Sequence, residues 1–315
     1  MNEPTEYSIS RAADIASGTL EDETSKLRRI LYNQTPQDGT FSQRIPGLHI
    51  NRYSNREMNI MKTFFLPSLL IVAQGKKTVT LGKESYEVGS SQMLMFPVSL
   101  PIALQTTQAS ISKPFLSVGL ELSPQKISEL VLKVYPNGLP TIRQRSAVYL
   151  SYADSGIINA VIRLVECLKS PSDTNLLAPL VLEEILIRIL RSKIGVMVAE
   201  MGFADSSIQR VGKAISWLRD NFKEQIKITD LAQLVHMSES SFHEHFKSVT
   251  SMSPLQYQKA LRLHEAKNLM ISQSMDAGTA GQLVGYSSDS QFSRDYNRFF
   301  GKPPKKDIAS LRQQT

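Results

Sequence analysis

The chain has 315 residues, 41% of them hydrophobic and 21% charged, with 36 Lys and Arg against 29 Asp and Glu. That length suits about two domains, and that composition excludes a disordered or fibrous chain. No apolar run approaches the roughly 18 residues of a bilayer span, Met1 is followed by polar and acidic residues, and the single Cys167 cannot close an internal disulfide, so a cytoplasmic protein without membrane contact is expected.

Residues 1–39 read as a polar, mobile tail with a short helix at Lys26–Tyr32, and Gln34–Thr40 as a turn-rich connection. Short β-branched and apolar runs then follow at Leu48–Tyr53, Ser68–Ala73, Lys77–Leu81, Ser85–Val88, Gln92–Val98, Ile102–Thr107 and Pro114–Leu122. They are separated by turn residues such as Gln74-Gly75-Lys76, and this spacing predicts strands of a β-barrel or sandwich. A metal-dependent barrel enzyme needs two or three imidazoles with a carboxylate. Only His49 precedes Ser206, so no metal or other cofactor is expected there, and no catalytic residues are assigned. A ligand-sensing or purely structural barrel remains.

Helical periodicity follows at Pro124–Val134, Ser155–Lys169 and Leu176–Arg191. The last is apolar over a wider arc than its own domain needs, which suggests a partner helix as much as a lid on the barrel. Cys167 reads as an interior thiol, and Gly195–Ser207 as a linker.

Beyond it the charge rises. From Ser206 onward nine Lys and six Arg face six Asp and four Glu, a balance that favours a polyanionic partner, nucleic acid being the commonest. A helix at Ile208–Asn221 precedes Lys227–Lys247, where Thr229 and Ser238 can cap two short helices and Ala232 lets them cross closely. Phe242 and Phe246 form the buried side of the second helix. Ser253-Pro254 then opens a long helix to Ile271. The pattern repeats as Ala277–Val284, a turn at Gly285 and a helix Ser288–Phe300, closed by Gly301-Lys302-Pro303-Pro304 and a short helix Asp307–Gln313. In this last unit Phe292, Tyr296 and Phe299 or Phe300 pack, while the opposite face offers donors and acceptors suited to base edges and phosphates. His243 and His245, two residues apart, point to different sides of a helix and are not expected to hold a metal.

Residues from about Ile208 to Ile308 resemble the DNA-binding domain of AraC-family transcriptional regulators. The resemblance is carried by Val284-Gly285-Tyr286-Ser287-Ser288-Asp289-Ser290-Gln291-Phe292-Ser293-Arg294, Phe300-Gly301, Pro303-Pro304 and the linker-helix motif Ser253-Pro254-Leu255-Gln256-Tyr257-Gln258-Lys259, Arg262-Leu263 and Glu265-Ala266. Gly47-Leu48, Gln74-Gly75-Lys76, Leu100-Pro101-Ile102 and Leu177-Ala178-Pro179-Leu180 resemble the cupin-like sensor of one branch of that family.

The resemblance implies an α+β chain of two domains: an N-terminal cupin-like β-barrel with a helical extension, and a C-terminal all-α domain with two helix-turn-helix units. The expected boundaries are a tail at 1–39, a sensor and dimerisation domain at 40–200, a linker at 201–207 and a DNA-binding domain at 208–315. Carried over by position, DNA contacts fall on Ser240, His243, Glu244 and Lys247 in the first unit and on Asp289, Ser290, Gln291, Arg294 and Arg298 in the second. Lys247, Arg298 and the helix starts near Ser238 and Ser288 would hold phosphates.

Three positions depart from the family: Glu244 stands where a basic residue is common, repelling phosphate but able to accept from a cytosine amine, Ser251 replaces a usual Gly, and Gly281 stands where a small Ala is common, which should loosen its helix by about 1 kcal/mol. The implied function is sequence-specific regulation of transcription in a bacterial-type, nucleoid-associated setting. The implied partners are double-stranded DNA, a small-molecule effector bound in the barrel, RNA polymerase for an activator, and a second copy in a homodimer. The effector-binding residues are not identifiable. The alternative is a cupin-type small-molecule-binding protein or enzyme with an accessory basic domain.

Overall fold

The computed structural model describes residues 6–56, 61–141 and 146–312, with side chains from Thr19 onward. Helix α1 (Glu6–Gln34) leads into β1 (Gly39–Ser42), β2 (Leu48–Tyr53), β3 (Met61–Phe65), β4 (Ser68–Gln74), β5 (Lys76–Leu81), β6 (Glu84–Gly89), β7 (Gln92–Phe96), β8 (Leu100–Gln108) and β9 (Phe115–Glu121). Then come α2 (Pro124–Val134), β10 (Tyr149–Tyr152) and α3 (Ser155–Glu166). Every strand pairing is antiparallel, in a six-stranded sheet ordered β1-β2-β9-β4-β7-β10 and a four-stranded sheet ordered β3-β8-β5-β6. The α+β, two-domain layout is as expected. The barrel is not a closed cylinder: among the described residues the strands form two facing sheets.

β4 is the centre of the larger sheet, and Ser68–Ala73 is buried throughout. Because side chains alternate along a strand, Leu70 points into the space between the sheets while Leu69 and Ile71 point the other way, where α1 lies. A strand covered on both faces reads as an unbroken apolar run. Leu27 and Leu31 of α1 are fully buried, and α1 packs along α3. The segment expected as a tail is therefore, from Thr19 on, a structural helix of the sheet domain.

Asp154 caps α3 by accepting from the Ile157 amide at 2.8 Å, and a 3₁₀ turn at Cys167–Lys169 ends that run earlier than its periodicity suggests. Cys167 is buried, as expected, and burial pushes its thiol pKa up. Ser170 caps α4 (Pro171–Leu176), which runs into α5 (Ala178–Leu190). The expected linker differs most from observation. Gly195–Gly202 forms helix α6, packed so closely on α2 that a Cβ on Gly202 would lie 2.4 Å from the Ser128 amide nitrogen. The helical pattern is hidden there because the segment has no polar face, being buried on most sides.

The rest is helical: α7 (Ser207–Asp220), α8 (Ile228–Leu234), α9 (Glu239–Thr250), α10 (Pro254–Ser272), α11 (Ala277–Leu283), α12 (Asp289–Phe300) and α13 (Pro304–Arg312). Gln313, expected to end the last helix, lies outside the described residues, as does the polar start at residues 1–5. The two halves share a core. Tyr257 of α10 is fully buried and donates its hydroxyl to the Ser99 carbonyl at 2.7 Å. Its ring meets Phe64 of β3 and Phe246 of α9 edge-on, at 5.7 and 5.6 Å.

Candidate nucleic-acid interface

Each helix-turn-helix unit is built by local chemistry. In the first, Met237 donates its amide to the Ala232 carbonyl at 2.9 Å, and in the second Tyr286 donates to the Gly281 carbonyl at 3.0 Å. The same five-residue span closes both turns. Ser238 and Ser288 then cap α9 and α12, accepting from the amides of Ser241 and Gln291. Thr229 does not cap α8: the helix starts one residue earlier, at Ile228, and has no side-chain cap. Asp276 caps α11 through the Gly278 and Thr279 amides at 2.9 and 3.1 Å, and the Thr279 hydroxyl, donating at 2.6 Å, together with those amides holds its carboxyl pKa below the usual range.

Gly285 has φ +92°, and a Cβ there would lie 2.4 Å from the Lys223 carbonyl, so this turn admits only glycine. Both α9 and α12 end in a left-handed residue, Ser251 at φ 57° and Gly301 at φ 81°.

The units are held in register by α10. A capping box between Ser253 and Gln256 starts it, and its 19 residues span about 28 Å. Arg262 donates to the carbonyls of Phe222, Gly285, Lys223 and Glu224 at 2.7–3.0 Å, tying the segment before the first unit to the turn of the second. Gln258 adds bonds to Phe222 and Glu224. Asp307 accepts from the Tyr296 hydroxyl and from Lys267, both at 2.8 Å, fixing α12 and α10 to α13. Burial and the bond to Asp307 push the Tyr296 phenol pKa up.

Ser240, His243, Glu244, Lys247, Asp289, Ser290, Gln291, Arg294 and Arg298 are all exposed on α9 and α12, while Phe242, Phe246, Phe292 and Tyr296 are buried behind them. They differ in setting. Arg294 lies along its own helix, its Nε donating to the Ser290 carbonyl at 3.3 Å. Asp289 turns back toward α11, its Oδ2 only 3.1 Å from where a Cβ of Gly278 would sit. Glu244, Lys247 and Arg298 line a groove of about 1100 Å³ whose other wall is the β5–β6 turn at Gly82-Lys83-Glu84 and Ser146-Ala147. His245 is half-buried, and no group of three or more His, Cys, Asp or Glu side chains is clustered for a metal among the described residues.

Sequence reasoning missed a second layer. Tyr257, Arg262, His264, Lys267, Asp295 and Asp307 position the two units, and Asp295 is a buried carboxylate 3.0 Å from Lys259. Of these only Tyr257 and Arg262 lay in the linker-helix motif; the others carry no local signal, since their partners are distant in sequence. His49, the lone N-terminal histidine, spans from Ser42 to Glu121 at 3.2 and 3.0 Å.

Residues 44–197 match a family model for the N-terminus of AraC-type transcriptional regulators, and residues 231–309 match one for a helix-turn-helix domain. The chain is 27% identical over 139 residues to the probable transcriptional regulator LumQ of Photobacterium leiognathi, covering 44% of this chain and 53% of that relative, about half its length. It is 20% identical over 239 residues to the lactose operon transcription activator of Staphylococcus xylosus, covering 76% of this chain and 82% of that one. Among solved structures, ToxT of Vibrio cholerae superposes with a TM-score of 0.56 at 11% identity, covering 83% of this chain and 98% of that chain. Wild-type ToxT with an unsaturated fatty acid bound superposes at 0.52 and 10% identity, covering 85% and 97%. At such identities the superpositions report the fold, and the same order of sheet-rich domain and paired helix-turn-helix units is present here. With one family model on each half and relatives named as transcriptional regulators, the chain belongs to the AraC-type transcriptional regulators.

Proposed function

We propose that the chain is a sequence-specific DNA-binding regulator of transcription whose α9 and α12 enter successive major grooves. The observation that supports it most is the repetition of one turn geometry, 232 to 237 and 281 to 286, each followed by a serine-capped helix with an exposed polar face. In this reading Ser240, His243, Glu244, Ser290, Gln291 and Arg294 meet base edges, while Lys247, Arg298 and the α9 and α12 N-termini hold phosphates. Asp289 braces α11 as well as facing the groove, so its contribution to base reading is the smallest of the set.

The domain boundaries that suit this reading are a sensor up to about residue 200 and a DNA-binding unit from 208. A small-molecule effector acts through the sensor, and its effect reaches DNA through the shared core at Phe64 and Tyr257. No helix among the described residues is long and apolar enough to cross a membrane, which is compatible with a cytoplasmic, nucleoid-associated regulator. The chain works as a homodimer, meets RNA polymerase when it activates, and needs neither catalysis nor a cofactor.

Genome-wide selection of bound fragments followed by gel-shift titration tests this. Arg294→Ala should weaken specific binding by about 1–3 kcal/mol without unfolding the protein, whereas Lys247→Ala should weaken binding to all sequences and lower the salt slope by about one. Recovery of no preferred sequence would return the chain to the alternative, a small-molecule-binding protein with an accessory basic domain.

A further inference from the structure

A long helix fixes how far apart its ends lie, but not how the units on those ends are turned. α10 is joined to α9 through residues 251–253 and to α11 through residues 273–276, and each link holds a left-handed residue, Ser251 at φ 57° and Ser274 at φ 54°. A few residues between helices are enough to act as a hinge. Each helix-turn-helix unit is therefore free to swing on α10 unless something else ties it down.

The tie lies over the middle of α10. Phe222, Lys223 and Glu224 form the loop between α7 and α8, on the side of the first unit, whereas Gly285 is the turn of the second. The Phe222 ring packs against the core of the second unit, which includes Val284, Tyr286 and Phe292. The Lys223 carbonyl stands where a Cβ of Gly285 would go, so loop and turn meet backbone to backbone.

One side chain reaches both sides of this seam. Arg262 donates through Nε to the Phe222 carbonyl at 2.7 Å, through Nη2 to those of Lys223 and Glu224 at 3.0 Å, and through Nη1 to that of Gly285 at 2.9 Å. All the nitrogens of a planar, rigid fork are thus engaged, and the direction of each bond is set by the others. If the second unit moves away from the first, either the bond to Gly285 or those to the loop must break. Gln258, one turn earlier, donates its amide to Phe222 and Glu224, both in the loop. Of the two, Arg262 is the one that reaches the second unit.

The consequence is felt in the DNA. Two helices held as one body fit half-sites about one helical turn apart, and each base pair inserted between the half-sites moves the second by about 3.4 Å and turns it by roughly 35°. A hinged pair follows that change. A clamped pair must give up a half-site or break the clamp.

We propose that Arg262 is a positioning residue that fixes the half-site spacing this protein accepts, by clamping the turn of the second unit to the loop of the first without itself touching DNA. This deepens the two-groove reading above and rests on it.

The test uses the full-length protein and duplexes built on the site recovered by fragment selection: the native site, the same site with one base pair inserted between its halves, and each half alone in scrambled flanks. Gel-shift titrations at fixed salt compare wild type with Arg262→Lys, which keeps the charge but loses the fork, and with Gln258→Met, which loses bonds to the loop and leaves the Gly285 bond in place. Both variants are titrated at a temperature where their circular dichroism matches that of wild type. Wild type should lose about 30-fold or more on insertion. Arg262→Lys should bind each half-site as wild type does, bind the native site about tenfold more weakly because two freely hinged modules lose avidity, and lose less than about threefold on insertion. Gln258→Met should keep the wild-type insertion penalty.

An Arg262→Lys protein that keeps the wild-type penalty, or that weakens on half-sites and full site in the same proportion, overturns the proposal. So does insertion tolerance gained equally by Gln258→Met. A wild type that accepts the insertion within about threefold overturns it without any variant, whatever becomes of the folding of Arg262→Lys. In each of these cases a two-part site leaves the two-groove reading standing, whereas a footprint confined to one half-site overturns both.

Discussion

His264 makes the junction between the two halves sensitive to acid. It sits on α10 with its ring edge-on to Phe64 of β3 at 4.9 Å and near Phe299 and Phe300 of α12 at 5.7 and 5.4 Å. Its Nε2 is buried without a hydrogen-bond partner. The charged groups nearest it are both cations, Lys267 on its own helix and Lys62 on β3, the latter donating to the Phe299 carbonyl. Burial first, then Lys267 and Lys62, pushes the imidazole pKa down to about 4.

The unfolded chain takes up that proton near pH 6.5, so between pH 6.5 and 4 the unfolded state holds more protons and stability falls as pH falls. Above 6.5 the group is neutral in both states and costs nothing. With about 1.4 kcal/mol per pKa unit, the loss is roughly 2 kcal/mol at pH 5 and approaches 3 kcal/mol near pH 4. Urea unfolding followed by the single Trp217, at pH 7 and pH 5, on wild type and His264→Leu, isolates this group because the other titrating groups are common to both proteins. The wild type should lose about 2 kcal/mol more than His264→Leu over that interval. Equal losses would mean that the imidazole is hydrated or paired in solution, and the reasoning from its aromatic surroundings would fail.

Gly281→Ala should destabilise by about 1–3 kcal/mol in thermal or urea unfolding despite Ala's better helix propensity, because the new Cβ would lie 2.9 Å from Cγ of the buried Phe292 ring. Ser251→Gly should stabilise by about 0.5–1 kcal/mol, since this residue holds φ 57° at the end of α9; a loss of stability would show that its 3.5 Å contact with Glu84 matters more than the backbone. Tyr257→Phe should cost about 1–3 kcal/mol by leaving the buried Ser99 carbonyl unpaired, and should raise protease susceptibility between the two domains.

What was legible in the sequence was what is decided within a few residues. Ser238, Ser253 and Ser288 act as caps at the helix starts their neighbours suggested, and Phe242, Phe246, Phe292 and Tyr296 bury the faces their spacing marked. Strands β3 and β10 were not legible, being short and each paired with a strand distant in sequence, β8 and β7. Gly281 was read as a loosening of its helix, yet the Phe292 ring lies where a Cβ would go, a contact eleven residues away that no propensity scale contains.

The long helix α10 shows why the positioning layer stayed hidden. Tyr257 faces the sheet domain, Gln258 and Arg262 the carbonyls before the first unit, His264 the aromatic junction, and Lys267 the closing helix. A helix that is engaged on several sides carries polar and apolar residues all round, so its sequence has no single stripe for periodicity to detect. The same engagement makes α10 one route from the sheet domain to the spacing of α9 and α12, beside the direct bonds of Lys62 to the Phe299 carbonyl and of Ser251 to Glu84. Tyr257 and His264, which meet Phe64 of the sheet domain, and Arg262, which holds the carbonyls of Phe222 and Gly285, all lie within two turns of this one helix.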